Sequence, residues 1–223
     1  LNGAEQSELV SDVHKIVVNA NGGDDVIDLS EVTSTSFPSI GTGVPSVQFP
    51  ITVNAGDGTD RVTGTPFNDH IFGGGGDDFV NAGDGDDTVY GLSDSDKLIG
   101  GNGNDTLFGG DDDDLLIGGA GFDVLYGDAG NDVLVDPAGD LHGGAGDDIL
   151  FIDDDPNTAS RLVRLSSLGE GEDVVIMSST DSVSELSVAR ISDYDPNEDT
   201  IVFDAPEGTD PTEFFTVTDF ENG

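Results

Sequence analysis

The chain has no cysteine and no tryptophan, a single methionine, and only 6 basic residues against 47 acidic ones in 223. Without cysteine there is no disulfide framework and no thiolate zinc site. A formal charge of −41 leaves too few cations to neutralise phosphates, which excludes nucleic acid as a partner. No stretch approaches the roughly 18 apolar residues that cross a bilayer as a helix. Leu1 to Val10 has neither the basic start nor the apolar run of a secretory leader. Catalytic signatures are missing too: there is no HExxH, no GxSxG and no phosphate loop followed by lysine. His14, His70 and His142 stand far apart, so the chain is expected not to be an enzyme.

What is abundant is ordered. From Ala55 to Val135 an aspartate falls on every ninth residue: Asp60, Asp69, Asp78, Asp87, Asp96, Asp105, Asp114, Asp123 and Asp132. An aliphatic residue follows two positions after each, from Val62 and Ile71 through Leu107 to Leu134. Glycine fills the turn ahead of the aspartate, as in Gly100-Gly101-Asn102-Gly103-Asn104-Asp105-Thr106-Leu107-Phe108. Charge alone would suit a solvated acidic surface or tail. Neither accounts for aliphatic residues locked to a nine-residue register.

Glycine reaches φ > 0 and lets main-chain carbonyls converge, so a Gly-x-Gly turn bends sharply and turns its oxygens inward. Carbonyls plus a carboxylate are hard oxygen ligands of the kind calcium accepts, six to eight at a time, at flexible geometry. The cofactor expected is Ca²⁺. The candidate ligands are the repeat aspartates together with Gly74, Gly76, Gly83, Gly85, Gly101, Gly103, Gly110, Gly119, Gly121, Gly144 and Gly146. After each turn, three residues such as Thr106-Leu107-Phe108 have room for a short strand with its middle side chain facing a core. Phe67, Asp94 and Asp112 replace the turn's second glycine, and a Cβ there crowds the loop.

The nonapeptide GGxGxDxUx resembles that of the RTX (repeats-in-toxin) calcium-binding proteins. The resemblance implies an all-β fold, a right-handed parallel β-roll with two nonapeptides per coil and calcium between stacked loops. One side would then carry Asp60, Asp78, Asp96, Asp114 and Asp132, and the other Asp69, Asp87, Asp105 and Asp123. It implies roughly six to nine ions. It also implies export by the type I route, a secreted or cell-surface location, and folding on calcium after export as one module of a larger parent protein. An adhesin or carbohydrate-binding module for cell-surface polysaccharide, or the repeat module of an alginate-epimerase-like enzyme, is the alternative. In it Tyr90, Phe108, Tyr126 and Phe151, at one repeat position, would line the binding face.

Residues 55–151 form the repeat block, flanked by degenerate copies. In residues 1–54, Ile16-Val17-Val18-Asn19-Ala20 echoes Ile51-Thr52-Val53-Asn54-Ala55, which places Asp25 where Asp60 stands and Ile27 where Val62 stands. Residues 33–50 read as an inserted loop. After Val135 one repeat shortens to Asp136–His142, with Asp140 nearest the aspartate position, before Gly143–Phe151 restores a full unit containing Asp148. Residues 152–223 read as a β-rich C-terminal cap, with strands near 162–165, 173–177, 187–191 and 200–203. Gly169–Val175 looks like one decayed repeat, and Asp193-x-Asp195-x-Asn197 reads as a polar turn.

Overall fold

The computed structural model describes residues 16–32, 51–153, 164–178 and 193–204. Among them every regular element is a strand, and the chain alternates between two sheets. The first sheet stacks β1 (Ile16–Gly22), β3 (Ile51–Asp57), β5 (Asp69–Gly75), β7 (Thr88–Ser93), β9 (Thr106–Asp111), β11 (Val124–Ala129), β13 (Asp140–Ala145) and β15 (Arg164–Glu170). The second stacks β2 (Val26–Asp28), β4 (Arg61–Thr63), β6 (Phe79–Asp84), β8 (Lys97–Asn102), β10 (Leu115–Ala120), β12 (Val133–Val135), β14 (Ile149–Asp153), β16 (Val174–Ser178) and β17 (Thr200–Asp204). Every pairing is parallel, and in the regular block each residue pairs with the one 18 positions on, as Leu98 with Leu116. This is the parallel β-roll.

The aliphatic position of each repeat fills the space between the sheets. Val62, Ile71, Val80, Val89, Leu98, Leu107, Leu116, Leu125, Leu134, Leu141 and Leu150 are all fully buried. Strand alternation sends their neighbours outward. The core is thin, one column of aliphatic side chains from each sheet.

The strands are longer than the three residues expected. Thr106–Phe108 continues through Gly109 to Asp111, because the glycine turn itself pairs with the next coil, Gly110 lying in register with Asp128. The N-terminal echo is in register as well, with Ile16 opposite Ile51, Asn19 opposite Asn54 and Ile27 opposite Val62. The described residues of the 152–223 region add coils to the same two sheets through β15, β16 and β17. The inserted loop at 33–50, the strand near 187–191 and His14 lie outside the described residues.

Close stacking sets what each turn position tolerates. Gly101 has φ +120, and a Cβ on it would collide with the Gly83 carbonyl oxygen of the preceding coil. Leu92 occupies the equivalent position at φ 94 with its side chain 47% exposed. Two substitutions are therefore expected to act with opposite signs. Leu92→Gly relieves the left-handed backbone while exposing little new surface, and should raise stability by about 1 kcal/mol; Gly101→Ala should lower it by about 2 kcal/mol or more. Denaturant midpoints in saturating calcium check both, and equal shifts of one sign would contradict this reading of the turns.

Candidate metal centres

The repeat aspartates form two continuous ladders along the two edges of the roll. On the first, each aspartate N–H donates to the Oδ1 of the aspartate one coil on. Asp25 donates to Asp60 at 2.7 Å, Asp60 to Asp78 at 2.8 Å, Asp78 to Asp96 at 2.8 Å and Asp96 to Asp114 at 2.7 Å. Asp114 donates to Asp132, Asp132 to Asp148, Asp148 to Asp173 and Asp173 to Asp199, at 2.8, 2.8, 2.9 and 3.3 Å. On the second, Asp69 donates to Asp87 at 2.7 Å, Asp87 to Asp105 at 2.8 Å and Asp105 to Asp123 at 2.8 Å. Asp173, in the decayed repeat, and Asp199 thus join a ladder that the nine-residue period alone does not reach.

One carboxylate oxygen is held by the backbone and the other is left over. The Oδ2 atoms of Asp25, Asp60, Asp78, Asp87, Asp96, Asp105, Asp114, Asp123, Asp132, Asp148 and Asp173 are buried without a hydrogen-bond partner. A buried carboxylate oxygen lacking a donor is strongly unfavourable, so a regular column of them calls for a positive charge. In the turns that open with glycine, those of Asp78, Asp96, Asp105, Asp114, Asp123, Asp132 and Asp148, this oxygen faces a space beside that glycine. A Cβ at Gly100 would collide with Asp105 Oδ2 and lie 2.7 Å from the Gly118 carbonyl oxygen; at Gly109 the equivalent atoms are Asp114 Oδ2 and Gly127 O. The donor set is thus a carboxylate oxygen opposite a main-chain carbonyl of the next coil, hard oxygens that fit calcium. Among the described residues no group of three or more His, Cys, Asp or Glu side chains is arranged to hold a metal, so carbonyls must complete any such site.

The expected glycines occupy the second and fourth turn positions, and Gly74, Gly76, Gly83, Gly85, Gly101, Gly103, Gly110, Gly119, Gly121, Gly144 and Gly146 all have positive φ. Where the next coil also has glycine there, the carbonyl abuts it, as Gly101 O abuts Gly119. The carbonyls that bound the same spaces as the leftover oxygens belong to the first turn position: Gly91, Gly109, Gly118, Gly127, Gly143 and Leu168. The sequence reading did not single these out, since a carbonyl's direction leaves no mark on residue type.

Two ladder ends differ from the rest. Asp69 has both oxygens engaged by Thr65, whose N–H donates to Oδ2 at 2.7 Å and whose hydroxyl lies 3.0 Å from each oxygen. Asp199 accepts from the Asp173 N–H on Oδ1 and from the Asp195 N–H on Oδ2 at 2.6 Å. At both ends the protein's own donors take the place left open elsewhere. Asp195 in turn accepts from the Asn197 N–H at 2.9 Å, which makes the 193–197 stretch a hydrogen-bonded turn.

Burial raises many of the ladder carboxyls. It pushes Asp78, Asp123 and Asp132 up to about 6, Asp105, Asp114 and Asp148 to about 7, and Asp87 and Asp96 to about 8. The backbone N–H bond from the preceding coil opposes the rise, and in most of them neighbouring aspartate charges add to it. A second, exposed ladder runs beside the buried one. Asn104 accepts from the Phe122 N–H at 3.0 Å, and Asp113 from the Asn131 N–H at 2.8 Å, which accounts for the recurrence of Asp and Asn just before the repeat aspartate.

Of the aromatic residues, Phe72, Tyr90, Phe108, Tyr126 and His142 stack along the first sheet, with ring centroids 4.5 to 4.9 Å apart. Phe151 belongs to β14 on the other sheet. A family model described as the RTX calcium-binding nonapeptide repeat, in four copies, matches residues 54–89, 81–116, 90–125, 108–135 and 140–158. No curated protein matches the chain. No solved structure matches it either.

Proposed function

The repeat block belongs to the RTX calcium-binding nonapeptide repeat family, and on that premise we propose that the chain is a non-catalytic, calcium-dependent folding module of a larger secreted protein. The observation that carries the reading is the column of unpartnered Oδ2 atoms, which at Asp78, Asp96, Asp105, Asp114, Asp132 and Asp148 stand opposite a carbonyl of the next coil. These carboxylates and the facing carbonyls would hold calcium, which would supply the positive charge that the leftover oxygens lack. Asp60, Asp78, Asp96, Asp114, Asp132 and Asp148 on one edge, and Asp87, Asp105 and Asp123 on the other, would hold the ions, with Asp25 extending the first edge into the N-terminal coil. Asp69, already satisfied by Thr65, is the weakest ligand of the set.

The residues' own work is to hold the coils in register. Each aspartate ties its Oδ1 to the previous coil, so a ligand that draws in its Oδ2 also fixes that coil. A ligand that binds only the folded chain stabilises it by about 1.4 kcal/mol per site at tenfold excess over Kd. Extracellular modules bind calcium at roughly 10⁻⁴ to 10⁻³ M, so the sites would fill outside a cell and stay empty in a cytosol. That suits passage through an exporter in an extended state, followed by folding at the destination.

A polysaccharide-binding role draws less from the geometry. The ring planes of Phe72, Tyr90, Phe108 and Tyr126 lie within 5° of their neighbours', so their faces cover one another and mainly their edges are presented. Sugar rings stack on open aromatic faces. Equilibrium dialysis tests the proposal: the folded chain should bind roughly six to nine calcium ions. Asp105→Asn, which keeps the Oδ1 acceptor but removes the charge, should bind one or two fewer. A wild-type chain binding none at millimolar calcium would refute it.

A further inference from the structure

The second ladder breaks where the repeat shortens. Gly139 stands at the position that Asp123 holds one coil earlier, and Asp140 begins β13 opposite Val124. Asp140, the expected replacement, is therefore outside the ladder. The loss of two residues instead brings Asp136, which follows β12, into the turn. Asp136 is fully buried, and its Oδ1 accepts from the Ala138 N–H at 2.8 Å. Its Oδ2 has no hydrogen-bond partner, and neither has the Oδ2 of Asp123, which is also fully buried.

Both leftover oxygens face one space. A Cβ at Gly118 would lie 2.5 Å from Asp123 Oδ2 and 2.9 Å from Asp136 Oδ2. In the neighbouring turns the second atom bounding that space is a main-chain carbonyl, as Gly118 O is for Asp105. Here a carboxylate takes its place. Gly139 is fixed by the same arrangement, since a Cβ on it would collide with Asp136 Oδ2.

We propose that Asp123 and Asp136 form a two-carboxylate calcium site at the shortened repeat, in which Asp136 replaces the aspartate that the ladder lacks at Gly139. Two buried carboxylates sharing one space repel unless a proton or a cation lies between them, and two formal charges attract a divalent ion more strongly than one charge and a carbonyl dipole. The site rests on the calcium-binding reading of the ladders. Its role is to carry the cation column across the irregular coil, where Gly139 stands in place of a ladder aspartate.

The test counts calcium by equilibrium dialysis on the full chain at saturating calcium, for the wild type, Asp136→Asn and Asp140→Asn, with circular dichroism to confirm folding. Asp136→Asn should bind one ion fewer than the wild type, and Asp140→Asn the same number. An unchanged count in a folded Asp136→Asn overturns the site. If that variant does not fold in calcium, Asp136→Ser replaces it, because its hydroxyl can still accept from the Ala138 N–H that Asp136 Oδ1 now holds. It removes the second carboxylate, so loss of one ion upholds the site and an unchanged count overturns it. A wild type that binds no calcium would instead refute the reading of the ladders as a whole.

Discussion

In a chelator at pH 7.5 the chain is expected to lose its β-sheet circular dichroism and expand, its radius of gyration rising towards the roughly 50 Å of an unfolded chain of this length. The metal-free roll has little to oppose the charge it concentrates. Ladder aspartates recur once per coil, about 4.8 Å apart, and two unit charges at that distance repel by about 3 kcal/mol at an effective dielectric of 20. The formal charge of −41 adds a diffuse repulsion, while the core offers one aliphatic residue per nonapeptide. Calcium in the millimolar range should restore the fold. Magnesium at the same concentration should not, because it demands near-ideal octahedral geometry and keeps its water. A chain that stays folded in chelator at pH 7.5 would show that the ladders need no cation.

Acid should have opposite effects with and without calcium. In the folded, metal-free chain burial raises ladder carboxyls such as Asp78, to about 6, and Asp96, to about 8, whereas in the unfolded chain an aspartate titrates near its ordinary 3.8. Between those values the folded state binds more protons than the unfolded one, so stability rises as pH falls. The gain is complete below about pH 4 and is lost as pH climbs through 6 to 8. A protonated Oδ2 carries no charge and turns from acceptor to donor, with a main-chain carbonyl of the next coil opposite it. In chelator, lowering the pH from 8 to 5 is therefore expected to recover β signal. In calcium the same change should raise the calcium concentration needed for half-folding, because protons compete for the same oxygens. A metal-free chain equally unfolded at pH 5 and pH 8, or a calcium midpoint independent of pH, would contradict the assignment of the ladders.

Much of this arrangement is legible in the residues because the period carries it. Asp and aliphatic positions separated by two residues must face the turn and the core respectively, and two nonapeptides per coil put residue 62 beside residue 80. The weaker echo at Asp25 and Ile27 is legible because the Ile-x-Val-Asn-Ala strand preceding each turn recurs, as at Ile16 and Ile51. Where the period slips, spacing no longer says which aspartate enters the turn. Asp140 is nearest in sequence to the missing aspartate, but the two-residue deletion is absorbed in the turn, so Asp140 starts a strand and Asp136 enters the space. The satisfaction of Asp69 by Thr65 is equally hidden, since it depends on a hydroxyl reaching back four residues within one turn. Strand length was underread because glycine-rich segments look like turns in a sequence, and here they both turn and pair.

The central claim is that ion binding and folding are one event. Its most direct measurement is a calcium titration from chelator upward in which bound calcium and far-ultraviolet circular dichroism are read on the same samples. The account predicts that the two curves coincide, rising together and steeply in the millimolar range to roughly six to nine ions per folded chain. Full β signal before any calcium is bound, or ions bound without gain of β signal, would contradict it.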